Sequence, residues 1–378
     1  MARFLSIASH SGGPWARPFG PRFHLPDANL FAPMASHDPS TTPAAGMRMP
    51  LRMGRIAFEK VWGGRALERV PGIQLEIEGP VGETWELVDR VAENSTVRGG
   101  PHDGQALREL MAVDRDALLG AGRPTADGRF PVLIKYLHAA KPLSVQVHPD
   151  DRTARQLHAG ESGKTESWYI LDAEPGSLVY LGLREGVDST ELASIASGPS
   201  LVDALQPWPV EPGQFVHVPA GTLHAIGEGI TLVEVQQNSD VTYRLYDWGR
   251  AGLDGEPRET HVDEGLLAIC YEEPIEGPKV LELQGLGGGN RCAALHDGEH
   301  YGMTLYELGS RIELDTRGLA RAVVAIDGEL RLRVSASEEL WEVETGDTWL
   351  LPAAVGAYSI EPAKAGEPAR VLLVDTKS

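Results

Sequence analysis

From Arg55 onward, short apolar runs alternate with Gly, Pro and Asp, the texture of short strands joined by tight turns. Three stretches break it with helical spacing. Leu107, Leu110, Met111, Leu118 and Leu119 recur on one face and predict an amphipathic helix from Gln105 to Leu119; Ser189 to Ala204 and Glu259 to Cys270 predict two more. The strands carry more information. From Pro142 to Pro149, Leu143, Val145 and Val147 alternate with Ser144, Gln146 and His148, so one face is apolar and the other presents Ser, Gln and His in a row. Lys164, Glu166 and Trp168 share a face of a second strand, and Glu234 and Gln236 share a face of a third. Several polar faces aimed inward predict a barrel enclosing a site rather than a sandwich with a dry core.

An internal echo extends this architecture. Gly213, five residues, Pro219-Ala220-Gly221, two residues and His224 recur as Gly346, five residues, Pro352-Ala353-Ala354, two residues and Ala357. The frame is kept and the histidine is gone. The expected fold is mainly β with some helices, built as two related β-barrels, the first with a site and the second degenerate.

Length adds a boundary. At 378 residues the chain exceeds one ordinary domain, and the pattern divides it into 1–46, 47–277 and 278–378. The first 46 residues are rich in Pro, Ser, Ala and Gly and show no sustained periodicity. They are expected to be a disordered extension or a product of start-codon choice, since Met47, Met49 and Met53 stand just before the folded pattern begins.

Charge excludes one class of function. A net charge of −20 argues against general nucleic-acid binding, which needs basic surface to displace counterions from phosphates. It leaves a small phosphorylated ligand open, because screening lets a local cationic cluster act over about 10 Å. No apolar run approaches the roughly 20 residues needed to span a bilayer, so no membrane partner is expected. Cys270, in an apolar stretch, and Cys292, in a polar turn, form no CxxC pair, and a reducing cytoplasm is the plain expectation.

The candidate chemistry converges on one kind of strand. A lone strand histidine such as His224 is more often structural than a ligand. Gln146 and His148, two apart on one face, and Glu166 on its own strand change that balance. Two imidazoles, a carboxylate and an amide oxygen suit a borderline divalent ion such as zinc and leave room for substrate, with iron or manganese open from chemistry alone. Other residues carry plainer roles. His217 is expected as a half-buried strand residue; His138, His158, His261, His296 and His300 in surface or helix-end positions; Trp62 and Trp85 as core or pocket wall; and Glu338 to Glu344 as a solvated edge strand.

Gly213 to His224 resembles the second signature motif of the cupin superfamily, without its terminal Asn. Trp62-Gly63-Gly64, Gly82-Glu83-Thr84-Trp85-Glu86, Leu143 to Asp150, Gly163-Lys164-Thr165-Glu166, Val218 to His224 and Glu234 to Asp240 with Arg244 resemble, in order, the signatures of type I mannose-6-phosphate isomerases. Tyr243 to Trp248 resembles the shorter bacterial branch. The resemblance covers about residues 56 to 270. It implies two cupin-type jelly-roll barrels, zinc bound by Gln146, His148, Glu166 and His224, and a sugar phosphate as the small-molecule partner of a cytoplasmic monomer or small homo-oligomer. It further implies a pocket lined by Arg244, Lys164 and Ser144, with Glu234 and Asp240 nearby. Arg250, where many relatives carry lysine, would meet the phosphate.

The reaction so implied moves a proton between C1 and C2 through an enediol. Arg244 is expected to stabilise charge, and Lys164 to transfer a proton or contact phosphate; Lys164, Glu234, Asp240 and a zinc-bound water stay open as the base. An iron-dependent cupin oxygenase and a non-catalytic sugar-phosphate-binding cupin are the rival readings. Deleting residues 1–46 is expected to leave stability and turnover near the parent values in a side-by-side thermal melt and activity assay. A large loss in either would make this segment part of the fold.

Overall fold

The computed structural model of the chain describes residues 45–158, 160–271 and 275–378. Its strands lie in four sheets. A six-stranded sheet runs Ile56–Gly64, Val81–Leu87, Val132–Ala139, Ile230–Gln237, Glu166–Ala173, Phe215–Val218, and a five-stranded sheet runs Tyr243–Tyr246, Val145–Val147, His224–Ile226, Leu178–Leu183, Leu205–Pro209. The second half adds a seven-stranded sheet and a four-stranded sheet. The mainly β character with a few helices is as expected, but the strands stack as open sheets, where closed barrels were predicted.

Period-2 alternation explains the stacking. In Val132–Ala139, Leu137 and Ala139 face the five-stranded sheet, while Val132, Ile134 and Tyr136 face the seven-stranded one. In Ile230–Gln237, Ile230 and Leu232 point one way and Val233 and Val235 the other. A strand buried on both faces tends to read as a continuous apolar run, and these do except at steps such as Lys135, Glu234 and Gln236. The seven-stranded sheet repeats the arrangement: Leu372 and Val374 meet the first half, and Val371 and Leu373 pack on the four-stranded sheet. Burying each such side chain stabilises by about 1.5–3 kcal/mol relative to exposure.

Helices close the outer face of the five-stranded sheet, where Leu192, Leu201 and Ala268 cover Val145, Val147, Ala225 and Leu245. The expected helix from Gln105 is observed as Leu107–Leu119, kinked at Asp114. The one expected over Ser189 to Ala204 is two, Ser189–Ile195 and Ser200–Ala204, because Gly198 and Pro199 interrupt it. The third is Val262–Ala268. Among the described residues no helix is long and apolar enough to cross a membrane.

The echoed motifs do the same structural job. Gly213 and Gly346 both take φ 86°, a conformation that favours glycine. After each, the chain leaves one sheet and enters the facing one: Phe215–Val218 to His224–Ile226, and Thr348–Leu351 to Ala357–Pro362.

The predicted extension lies outside the described residues except for Ala45 and Gly46, which open the 3-10 turn Ala45–Arg48. Met47 beside them is fully buried, and Leu51–Arg52 pairs with Leu350 and Trp349 in the seven-stranded sheet. Cys292 belongs to the strand Asn290–Asp297, not to a turn, and both cysteines are free.

His138 and His296 depart from their expected surface roles. His138 is buried and bonds Thr231 Oγ1 at 3.0 Å. His296 stacks on His217 across the contact between the six- and seven-stranded sheets, ring centroids 4.2 Å apart. Ser167 Oγ bridges His217 Nδ1 (3.0 Å) and the Tyr301 hydroxyl (2.9 Å). Burial, then Lys279, pushes His217 down to about 4; burial, then His217 itself, pushes His296 down to about 3.

Because these folded-state values lie below the unfolded value of 6.5, the unfolded chain takes up protons that the folded chain refuses as pH falls. Stability should be flat above pH ~7 and fall from pH ~6.5 to ~4 through His217 and on to ~3 through His296, by up to about 1.4 kcal/mol per pH unit for each histidine. Urea midpoints across this range check it, and His296→Asn should flatten the slope.

Candidate metal centre and pocket

The site occupies the same gap between sheets as an apolar core. On the inward face of the six-stranded sheet, Leu137, Leu232 and Ile170 form one cross-strand row. Two residues along, the row becomes Lys135, Glu234 and Trp168, and two further on it becomes Leu133, Gln236 and Glu166. The opposite sheet answers with a row of its own: Arg244 pairs with Gln146, which pairs with His224. Ser144 and His148 extend the face carrying Gln146, as the alternation predicted.

Glu166, His148 and His224 meet across the gap with their ligating atoms all within 4.8 Å. His148 Nε2 is 3.5 Å from Glu166 Oε2, and His224 Nε2 is 3.3 Å from Glu166 Oε1. Each imidazole is oriented from behind. His148 Nδ1 lies 2.9 Å from the carbonyl of Val241, and His224 Nδ1 2.8 Å from that of Thr222. With Nδ1–H donating outward, both Nε2 lone pairs face the centre, the arrangement of imidazoles poised for a metal. The three residues can therefore hold a metal ion.

Gln146 lies beside them, its Nε2 3.3 Å from His224 Nε2 and its Oε1 accepting from Ser144 Oγ at 3.0 Å. Lys164 Nζ donates to Glu166 Oε2 at 2.8 Å and to His148 Nε2 at 3.1 Å. Burial opposes charge on Glu166, but Lys164, His148 and His224 outweigh it and hold the carboxyl well below its usual range. Burial and then Lys164 hold the His148 imidazole well below its own.

The ion pairs continue beyond this cluster. Lys164 stands 3.9 Å from Glu234 Oε1, Glu234 3.2 Å from Lys135, Lys135 3.6 Å from Glu83, and Glu83 3.3 Å from Lys60. Trp85 Nε1 also donates to Glu83 at 2.7 Å. Burial would raise the Glu83 carboxyl, yet Lys135, Lys60 and the Trp85 bond bring it down to about 2. Burial would lower the Lys135 ammonium, yet Glu83 and Glu234 raise it.

A cavity of about 230 Å³ opens onto these groups. Ser144, Gln146, Lys164, Glu234, Asp240 and Arg244 line it. His148, Glu166 and His224 lie behind this lining, nearly inaccessible. Arg250 does not line it: its guanidinium bonds Asp247 Oδ1 and the carbonyl of Pro142. Lys60, Glu83, Lys135, Arg258 and His261 line it unforeseen. The alternation could have found Lys135, which occupies a polar step in the apolar strand Val132–Ala139. Nothing local marked Arg258 or His261, which arrive on the segment leading into the helix Val262–Ala268.

Comparison with known proteins gives the arrangement its context. The family model for the type I phosphomannose isomerase catalytic domain matches residues 52–179. The chain is 32% identical over 316 residues to a mannose-6-phosphate isomerase of Streptococcus mutans, covering 83% of this chain and 96% of that protein. It is 33% identical to the mannose-6-phosphate isomerase ManA of Bacillus subtilis, covering 82% and 96%. The crystal structure of the Bacillus subtilis mannose 6-phosphate isomerase superposes with a TM-score of 0.78 at 28% identity, over 86% of this chain and 99% of that one. The chain belongs to the type I mannose-6-phosphate isomerase family and is an isomerase of that family.

Glu83 is the most exacting test of the buried ion pairs. Glu83→Ala leaves the ammonium of Lys135, almost wholly buried, with one carboxylate fewer, and should destabilise the fold by about 3 kcal/mol. The midpoint of urea unfolding measures this; a shift below a few tenths of a kcal/mol would show that Glu83 is not needed to hold the cations.

Proposed function

We propose that the chain interconverts mannose 6-phosphate and fructose 6-phosphate through an enediol, with one zinc ion held by Gln146, His148, Glu166 and His224. The observation that carries this reading is the convergence of two inward Nε2 atoms and a carboxylate at the wall of a cavity lined with lysines, arginines and carboxylates. Two imidazoles and a carboxylate suit zinc, and an amide oxygen completes a set that still admits substrate. Gln146 is compatible with that role. Its amide turned end for end brings Oε1 beside His224, and the Ser144 hydroxyl then accepts from Nε2 instead of donating to Oε1.

Zinc bound there would supply Lewis-acid polarisation of the sugar oxygens at C1 and C2. The protein's own groups do the rest. Arg244, directly beside Gln146 across the sheet, is a fixed cation for the charge that develops on oxygen as the proton leaves C2. Lys164, Glu234 and Asp240 line the cavity, and one of them carries the proton from C2 to C1. Ser144 contacts a sugar hydroxyl. The low dielectric of the inter-sheet gap strengthens each of these interactions.

On the same reading each facing pair of sheets is a cupin-type jelly roll. Residues 47–277 form the catalytic domain, packed through the six- and seven-stranded sheets and paired through Leu51–Arg52 with a degenerate second domain, residues 278–378, where Ala357 stands in the histidine's place. The enzyme works in the cytoplasm as a monomer or small homo-oligomer, on a small sugar phosphate and without nucleic-acid or membrane partners.

The test is formation of fructose 6-phosphate from mannose 6-phosphate before chelation, after it, and after zinc is returned, with metal analysis giving one zinc per chain. No product with zinc bound would overturn the reading. Arg244→Ala should keep its zinc and lose about a hundredfold or more in kcat, since a preorganised donor matters most in the transition state. In heavy water the parent should place solvent deuterium at C1 or C2 in step with turnover; unchanged kcat in the variant would remove Arg244 from the chemistry.

A further inference from the structure

We infer that Arg258, held by Asp247, is the residue that grips the phosphate of the substrate, and that Arg250 is a brace for the loop carrying Asp247. This inference rests on the sugar-phosphate isomerase reading above and locates the phosphate within it.

Charge balance along the cavity supports it. From the half-buried Lys60 to the buried Glu166 the groups alternate in sign, three lysines with Glu83, Glu234 and Glu166, and each ammonium lies within 4 Å of a carboxylate. That end is neutralised. At the other end Arg244, Arg250 and Arg258 gather around Asp247, which bonds Arg250 and Arg258 directly, and the other nearby carboxylate, Glu259, is exposed. Burial and then the neighbouring Arg258 depress the Arg244 guanidinium, the mark of cations crowded without enough anions. A phosphate dianion supplies the missing charge.

Geometry separates the two candidates. Arg250 uses Nε and Nη2 on Asp247 Oδ1 (3.1 and 2.8 Å) and Nη1 on the Pro142 carbonyl (2.6 Å), and it does not line the cavity. Together with Trp248, whose Nε1 donates to Leu143 O at 2.6 Å from a backbone at φ 57°, it pins the turn after Tyr243–Tyr246 to the 142–143 segment. Arg258 does line the cavity. It gives Asp247 one edge of its fork, Nε to Oδ2 at 2.7 Å and Nη2 to Oδ1 at 2.5 Å. Its Nη1 has no acceptor among the described residues, so the end of the guanidinium stays available. A planar fork fixed along one edge by a carboxylate is set to bind phosphate oxygens in pairs with the other. His261 lines the cavity beside it as a further contact.

The experiment compares Arg258→Gln, Arg258→Lys and Arg250→Gln with the zinc-loaded parent. It measures KM and kcat for mannose 6-phosphate and competitive inhibition by inorganic phosphate. Arg258→Gln should raise KM and the phosphate inhibition constant together by about thirtyfold or more, with kcat within about threefold. Arg258→Lys, which keeps the charge but loses the fork, should fall between the two, and it carries the test if the glutamine variant fails to fold. The inference is overturned if both Arg258 variants keep the parent constants, or if Arg250→Gln produces the larger joint rise. A parent that binds inorganic phosphate but makes no fructose 6-phosphate would instead overturn the isomerase reading. Phosphate binding that is still lost in Arg258→Gln would then leave the phosphate assignment standing.

Discussion

Three lysines and three glutamates meet along the gap between two sheets, all but the half-buried Lys60 withdrawn from water, and the remainder of the site depends on their being satisfied there. Removing one charge from water costs several kcal/mol even after relaxation. These six endure because no ammonium lacks a nearby carboxylate and the pairs run on from Lys60 to Glu166. Such a series has no dispensable member. Loss of one carboxylate exposes the cations on either side of it to an unpaired environment, which is why Glu83, far from the imidazoles, still bears on them.

The series occupies the inward face of the six-stranded sheet because that face is partly core already. Leu137, Leu232 and Ile170 seal one end of the gap, and the charged row begins two residues further along the same strands. The apolar floor excludes water and stiffens the strands that aim the polar groups. Behind the sheet, Ile134, Tyr136, Val233 and Val235 pack against the second half of the chain. The C-terminal sheets thereby bear on the site mechanically, by covering the back of the surface that holds it, although Ala357 leaves them without the histidine that His224 supplies.

Much of this was legible in the sequence where a two-residue period could be read. Ser144, Gln146 and His148 alternate with valines, so their common face follows from the pleat alone, and Glu166 and Glu234 follow likewise. The echo of Gly213 to His224 at Gly346 to Ala357 was legible as well, since glycine is needed where φ is 86°. Closure was not. Strands whose two faces are both buried look the same in a barrel wall and in the middle of a stack, and the stacking partners lie far off along the chain. His296 was missed for a related reason: only tertiary contact sets it against His217.

The placement of arginine side chains is the least legible, and the cause is physical. An arginine reaches far from its own backbone and has five donors, so position in the chain hardly constrains which edge of the fork is spent on the protein. Arg250 lies six residues from Arg244 and suggests a pocket residue by spacing. Arg258 lies on a segment whose neighbours, Pro257 and Glu259, suggest an ordinary surface turn. Asp247 engages both arginines, but the Pro142 carbonyl takes the remaining edge of Arg250, whereas Arg258 lines the cavity. A single backbone carbonyl thus sets the surroundings of the two arginines apart, a difference no residue spacing could carry.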